Sequence, residues 1–173
     1  MKKVLYLFIP IMCLISICGC SSDAEVSGIS AGQTEAESLT GAEKKYSIGD
    51  EIFIKNEEGE YKIIFTGIKE TKKRNQFSDK QAKRVVIVSY EYENISKNSD
   101  LYISNMNCRL YDKQNNSMEI YPINVKSPQP VSRGRKSSGE IAYALNSPGN
   151  YVEVEFYDNI FNSKSDCKAV LEW

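Results

Sequence analysis

The sequence predicts an all-β protein, an antiparallel β-sandwich of about eight short strands, preceded by a signal peptide and a disordered tether. Three observations carry that expectation. Apolar and polar residues alternate with a period of two in several separate stretches, most clearly "RVVIVSYEYENIS", "NYVEVEFYD" and "CKAVLEW". Turn-forming clusters such as "NEEG", "DKQNNS" and "NSPGN" fall between such stretches. Beyond Cys20 no convincing helix is found; Phe77 to Arg84 has some helical character and suggests a single turn.

The elements follow in chain order. Lys2 and Lys3 precede an uncharged run, Val4 to Ile17, broken only by Pro10 and Ser16, which is the layout of a signal peptide. As a helix that run would reach roughly 21 Å, short of a hydrocarbon core of about 30 Å. Its end, Ile17-Cys18-Gly19-Cys20, resembles the bacterial lipoprotein signal, in which an aliphatic and two small residues precede the cysteine that is lipidated and becomes the new N-terminus. Gly19 lets a protease admit the backbone just before the cut, and the Cys20 thiol then takes the lipid. Cys18 fails that test, because Ile17 would stand where the small residue belongs. The plainer alternative is an ordinary cleaved secretory leader.

Residues 20–45 are rich in Ser, Gly, Ala and Glu and nearly free of large apolar groups, so they cannot bury enough surface to fold. About 25 residues of flexible coil span roughly 25 to 30 Å, enough to lift a domain off a membrane. Residues 46–173 then form one domain, long enough for a single core. Strands are expected at Glu51–Lys55, Tyr61–Ile68, Val85–Glu93, Ile103–Tyr111, Met118–Tyr121, Glu140–Leu145, Tyr151–Tyr157 and Cys167–Trp173. In the third, Val86, Val88, Tyr90 and Tyr92 share one face, while Val85 and Ile87 extend burial to both faces at its start. Val152, Val154 and Phe156 face inward in the seventh, and Ala169, Leu171 and Trp173 in the last.

"YSIGDEIFI", "EYKIIFTGIKET", "VVIVSYEYENIS", "NCRLYDKQ", "SSGEIAYAL" and "AVLEW" resemble the telokin-like, immunoglobulin-like domains of bacterial lipoproteins, domain-of-unknown-function family four-three-five-two. The resemblance covers nearly all of residues 46–173 and rests on structural motifs. It implies an immunoglobulin-like sandwich on the outer face of a Gram-positive cell membrane and no established activity. Cys108 and Cys167 depart from the family pattern, which does not require them.

Composition narrows the function. Basic and acidic residues nearly balance, 22 against 23, and loss of the leader removes Lys2 and Lys3, so no global basic surplus argues for nucleic acid. There is no histidine, which excludes His-dependent triads and His-containing zinc sites. No spacing pairs a serine with a lysine for nucleophilic catalysis, and there is no glycine-rich phosphate loop. No catalytic residue, metal or cofactor is assigned.

Several constellations remain. Cys108 and Cys167 would form a disulfide in an oxidising compartment or stand as two buried thiols; simple alternation of strand direction places them toward opposite ends of the sandwich. Lys69 to Arg84 is dense in Lys and Arg, and Lys72, Lys73 and Arg74 are its candidates for contact with anionic wall polymer or lipid headgroups, against the alternative of a merely solvated loop. Arg133, Arg135 and Lys136 form a smaller basic loop, expected at the opposite end. Asp112, Asn115 and Asn116 lack the alternate oxygen ligands of a calcium loop and read as a hairpin turn. Asn94 and Asn115 match the glycosylation pattern and are also read as turns. Of eleven tyrosines, Tyr102, Tyr111, Tyr121, Tyr143, Tyr151 and Tyr157 are candidates for partial exposure.

The expected protein is a monomeric lipoprotein carrying palmitate-class lipid on Cys20, at the extracytoplasmic face of a bacterial membrane, with a non-enzymatic domain that binds a protein or envelope polymer. A protease-inhibitor or chaperone-like module is the second reading. A carboxylate enzyme using Glu91, Glu93 or Asp112 is the third.

Overall fold

The strands form where alternation meets turn chemistry. The computed structural model describes residues 44–78 and 81–173; the leader, Cys20 and the following stretch through residue 43 lie outside the described residues. Within them run β1 (Lys45–Tyr46), β2 (Ile52–Asn56), β3 (Gly59–Thr71), β4 (Arg84–Asn94), β5 (Cys108–Asp112), β6 (Lys136–Leu145), β7 (Tyr151–Phe156) and β8 (Cys167–Glu172). They make two four-stranded sheets, in the orders β1-β8-β7-β5 and β2-β3-β4-β6. All pairs are antiparallel except β1 with β8. This is the expected sandwich.

The inward rows of β4, β7 and β8 are those the alternation specified, and β3 adds a row of its own. Tyr61, Ile63 and Phe65 of β3, Val86, Val88, Tyr90 and Tyr92 of β4, and Val152, Val154 and Phe156 of β7 are all buried, with Ala169 and Leu171 of β8. Each large side chain contributes about 1.5–3 kcal/mol on burial. The β2–β3 turn needs a glycine: Gly59 has φ of 137°, and a Cβ there would lie 2.8 Å from the backbone of Lys97.

Three local expectations give way. β1, two residues long and parallel to β8, includes Lys45, one residue before the expected domain start. Met118–Tyr121 forms no regular strand; it contributes the isolated bridge Ile120↔Tyr143, beside Tyr111↔Ser117. The helical turn belongs to Asn105–Asn107, where Ser104 and Asn107 make a reciprocal cap, and none is seen in the described part of Phe77–Arg84.

Met118–Tyr121 instead opens a strap along the free edge of β6. Tyr121 N–H donates to Ala142 O, Ala144 N–H to Glu119 O, and Glu140 N–H to Lys126 O. On the outer face of the β4–β6 pair, Tyr121 then packs on Val85, Ile87, Ala142 and Ala144, with Ile123 and Val125 alongside. That is why both faces of the start of β4 are apolar. The free edge of β5 is covered too, by Met118 N–H donating to Leu110 O.

Cys108 and Cys167 are free thiols, both buried. The expectation that they lie toward opposite ends is wrong. β5 and β8 run in the same direction on either side of β7, so both cysteines open their strands at one level, and each pairs with Phe156. Two strand spacings, about 10 Å, separate their backbones, beyond the roughly 7 Å limit for a disulfide. Burial pushes each thiol up to about 12. Native protein at pH 8 should therefore leave both unmodified by a thiol reagent over hours, and denaturation should release two per domain; rapid native labelling would show that this end opens.

Candidate functional site

Two ends of the sandwich must be distinguished. At one, Thr71 pairs with Val85 and Arg84 with Leu145; this end carries the basic connection 72–83. At the other, Tyr61 pairs with Asn94 and Glu93 with Lys136. Arg133, Arg135 and Lys136 thus lie at the end opposite Lys72, Lys73 and Arg74, as strand counting predicts. Lys45 pairs with Lys168, one residue after Cys167 opens β8, so the chain preceding Lys45 joins the sandwich at that second end.

Much of the positive charge in Lys69–Arg84 is already engaged. Lys69 Nζ lies 3.2 Å from Glu140 Oε1. Arg84 binds Glu70 at 2.7 Å, reaches Asn150 Oδ1 at 2.8 Å, and covers the Trp173 ring at 5.6 Å. The Arg84 hydrogen bond holds the Glu70 carboxyl below its ordinary value. Arg74 is a brace: its Nη1 donates to Thr71 O and Lys73 O, each at 2.9 Å. The sequence grouped Lys72, Lys73 and Arg74 together; all three are exposed in the fold, and Arg74 is in addition bonded to the loop's own backbone.

Asn75 fixes the loop to the strap. Its Nδ2 donates to Pro122 O at 2.7 Å, and its backbone N–H points to Tyr121 Oη at 3.4 Å. Its Oδ1 accepts from Phe77 N–H at 3.0 Å, and its carbonyl from Ser78 N–H at 3.2 Å. This closed turn displays Phe77, 87% exposed. A cleft of about 360 Å³ lies between loop and strap, lined by Arg74, Asn75, Gln76, Phe77, Ile123 and Asn124 among others. Phe77 was missed in the sequence; "NQF" within a basic loop was the available signal.

The three candidate carboxylates do not converge. Asp112 sits in the turn after β5, where its Oδ1 accepts from Gln114 N–H and Asn116 N–H at 2.9 Å each. Burial pushes its carboxyl up, but these donors and the Asn116 side chain outweigh it and hold it low. It borders a polar cleft of about 670 Å³ whose lining includes neither Glu91 nor Glu93. Those two belong to a shallow depression of about 40 Å³ with Lys62 and Lys136. There the hydrogen bond from Lys136 holds Glu93 below its ordinary value, with help from Lys62. Among the described residues no group of three or more Cys, Asp or Glu side chains could hold a metal ion.

The tyrosine expectation divides. Tyr102 is 53% exposed, and Tyr111 and Tyr151 are half-buried. Tyr121, Tyr143 and Tyr157 are buried, against expectation. Tyr143 faces the core beside Ile141 and Leu145 and donates to Cys108 O; Tyr157 donates to Glu155 and lies under Arg109, 4.0 Å from the ring centroid. Asn94, the first glycosylation match, is fully buried in the turn that ends β4, and Asn115 holds φ of 62° in the hairpin turn.

No protein-family model matches the chain, and no curated protein matches its sequence. Two solved structures are similar in fold. One is a secreted protein from Mycobacterium tuberculosis, MPT63, with a TM-score of 0.57 and 10% identity over 78% of this chain and 100% of that one. The other is a candidate lipoprotein from Bacillus subtilis, ycdA, with a TM-score of 0.51 and 11% identity over 65% of this chain and 36% of that one. The chain thus matches about a third of the length of the second. What it shares with both, at these identities, is the β-sandwich.

Proposed function

We propose that this chain is a lipoprotein anchored through Cys20 at the extracytoplasmic face of a bacterial membrane, and that its sandwich is a non-enzymatic binding module for an anionic cell-envelope polymer. One observation carries the reading: the basic loop is braced by Arg74 and Asn75 so that Lys72, Lys73 and Phe77 project at the end opposite the one the tether joins. A domain held that way presents Lys72 and Lys73 outward. The leader and the lipoprotein-like motif before Cys20 support the location, as do a secreted protein and a candidate lipoprotein among structures of like fold. The scattered carboxylates favour binding over catalysis.

The interaction-module reading keeps one observation of its own. β2 has an open outer edge among the described residues, with Phe53 half-exposed beside it, the kind of edge to which a partner strand adds.

The test reverses Lys72 and Lys73 to glutamate and leaves Arg74 in place. Stability should change by no more than about 0.5 kcal/mol. Co-sedimentation with a poly(glycerol phosphate) polymer should be strong for the native chain at low salt, weak at high salt, and lost in the variant, because such contacts act within about 10 Å at 0.1 M salt. Absence of salt-dependent binding by the native chain would end this reading of the loop.

A further inference from the structure

The tether end carries an apolar display of different character. The β7–β8 connection repeats the loop-end device: Asn159 Oδ1 accepts from Phe161 N–H at 3.0 Å, and Asn159 O from Asn162 N–H at 3.0 Å. Phe161 is thereby held outward at 89% exposure. An exposed phenylalanine on a wandering loop would mean little, but this loop is tied down. Asp158 accepts from Tyr61 Oη and Asn56 Nδ2, each at 2.7 Å, and its N–H donates to Asp166 Oδ2 at 2.7 Å. Asn107 and Tyr157 then exchange two hydrogen bonds, Tyr157 N–H to Asn107 O at 2.8 Å and Asn107 Nδ2 to Tyr157 O at 2.9 Å. That exchange sets the Asn105–Asn107 turn beside the loop, and with it Met106, 62% exposed.

Met106 and Phe161, with Ile160 of the same β7–β8 connection partly exposed, therefore project from the end of the sandwich where the chain leaves toward Cys20. We propose that this end is a membrane seat: Phe161 and Met106 enter the headgroup boundary of the bilayer to which Cys20 is anchored, so that the domain stands on its tether end with the basic loop directed away. The proposal rests on the Cys20 anchor of the preceding section. What names the occupant is the chain itself, since on that reading lipid is carried at Cys20, only 24 positions before Lys44, and this end cannot lie far along the chain from the surface. An aromatic at the interface, buried about 5–10 Å, is a recurring peripheral anchor.

Charge makes a second distinction. Lys44 and Lys164 are exposed at this end, as are Arg133, Arg135 and Lys136, against Glu57 and Glu58, so cations could also hold this end to an anionic surface. A hold through Phe161 and Met106 is apolar and is told from theirs, and from contact through Lys72 and Lys73, by its indifference to salt.

The test uses the full lipidated chain in vesicles of phosphatidylethanolamine and phosphatidylglycerol, part of them brominated along the acyl chain. Trp173 is the one tryptophan, so a Trp173→Phe background carries a single reporter, Phe161→Trp in one protein and Phe77→Trp in another. The Phe161→Trp emission should shift to the blue and be strongly quenched by brominated lipid, equally at low and high salt, while the Phe77→Trp emission stays as in buffer. Hydrogen exchange of the unmutated chain serves as a second readout: amides of Asn159 to Lys164 should slow on vesicles relative to the soluble domain. A chain that does not float with vesicles would overturn the anchor, and this proposal with it. A chain that floats with Phe161→Trp unquenched, or with Phe77→Trp quenched in its place, would overturn the seat alone.

Discussion

Asn94→Ala should destabilise the domain by about 3 kcal/mol or more, since each buried group left without its partner costs about 1–3 kcal/mol. Asn94 ends β4 with no exposed surface. Its Nδ2 donates to Ser99 O at 3.0 Å and Val131 O at 3.2 Å, and its Oδ1 accepts from Lys97 N–H at 2.9 Å. One amide thus closes the turn after β4 and fastens it to the connection entering β6. Alanine removes all three bonds and puts nothing in the space. Asn94→Asp keeps the acceptor but sets a buried carboxylate oxygen against the Ser99 and Val131 carbonyls, so at neutral pH it should be no more stable than alanine in urea unfolding. A midpoint for Asn94→Ala equal to native would show that water reaches this turn and replaces the side chain.

Phe156→Ala should cost about 3–5 kcal/mol, the range for deleting a buried aromatic. Phe156 is fully buried in the middle strand of its sheet and meets Tyr61 edge-on at 6.4 Å. The same variant separates two reasons why Cys108 and Cys167 are not joined. If the ring alone kept them apart, its removal would let a disulfide form in oxidising buffer. If the strand between them does, as the pairing register requires, both thiols remain free after mild oxidation. The second result is expected, read by thiol titration of the unfolded variant.

The sandwich was legible because β7 and β8 bury one face along their length, and β4 does so beyond its start, so the period of two can be read there. β1 left no such trace: a parallel pair of two residues has no period to read. The strap was half legible, since Val85 and Ile87 demanded a cover on the outer face, but nothing local to Tyr121 said that it would supply one. Tyr143 could have been placed, because "EIAYAL" sets it in register with Ile141 and Leu145; the hydroxyl suggested water, and it found the Cys108 carbonyl instead. Tyr157 could not, for its cover is Arg109 from a different strand. Of the candidate site, the charge was visible and its division was not. Whether an arginine meets a ligand or its own backbone depends on how the loop closes.

Coverage of the β5 and β6 edges limits how copies of this domain can join. In a crowded envelope, strands left unpaired at a sheet border invite another molecule, and a sheet with two open borders can add copies without end. Among the described residues each sheet here has one border occupied by its own chain and one open, at β1 or β2. Edge-to-edge pairing between two copies would consume one open border of each, and the joined sheet would then end at covered strands on both sides. The strap therefore acts as a terminator for each sheet, which can run through two copies and no further.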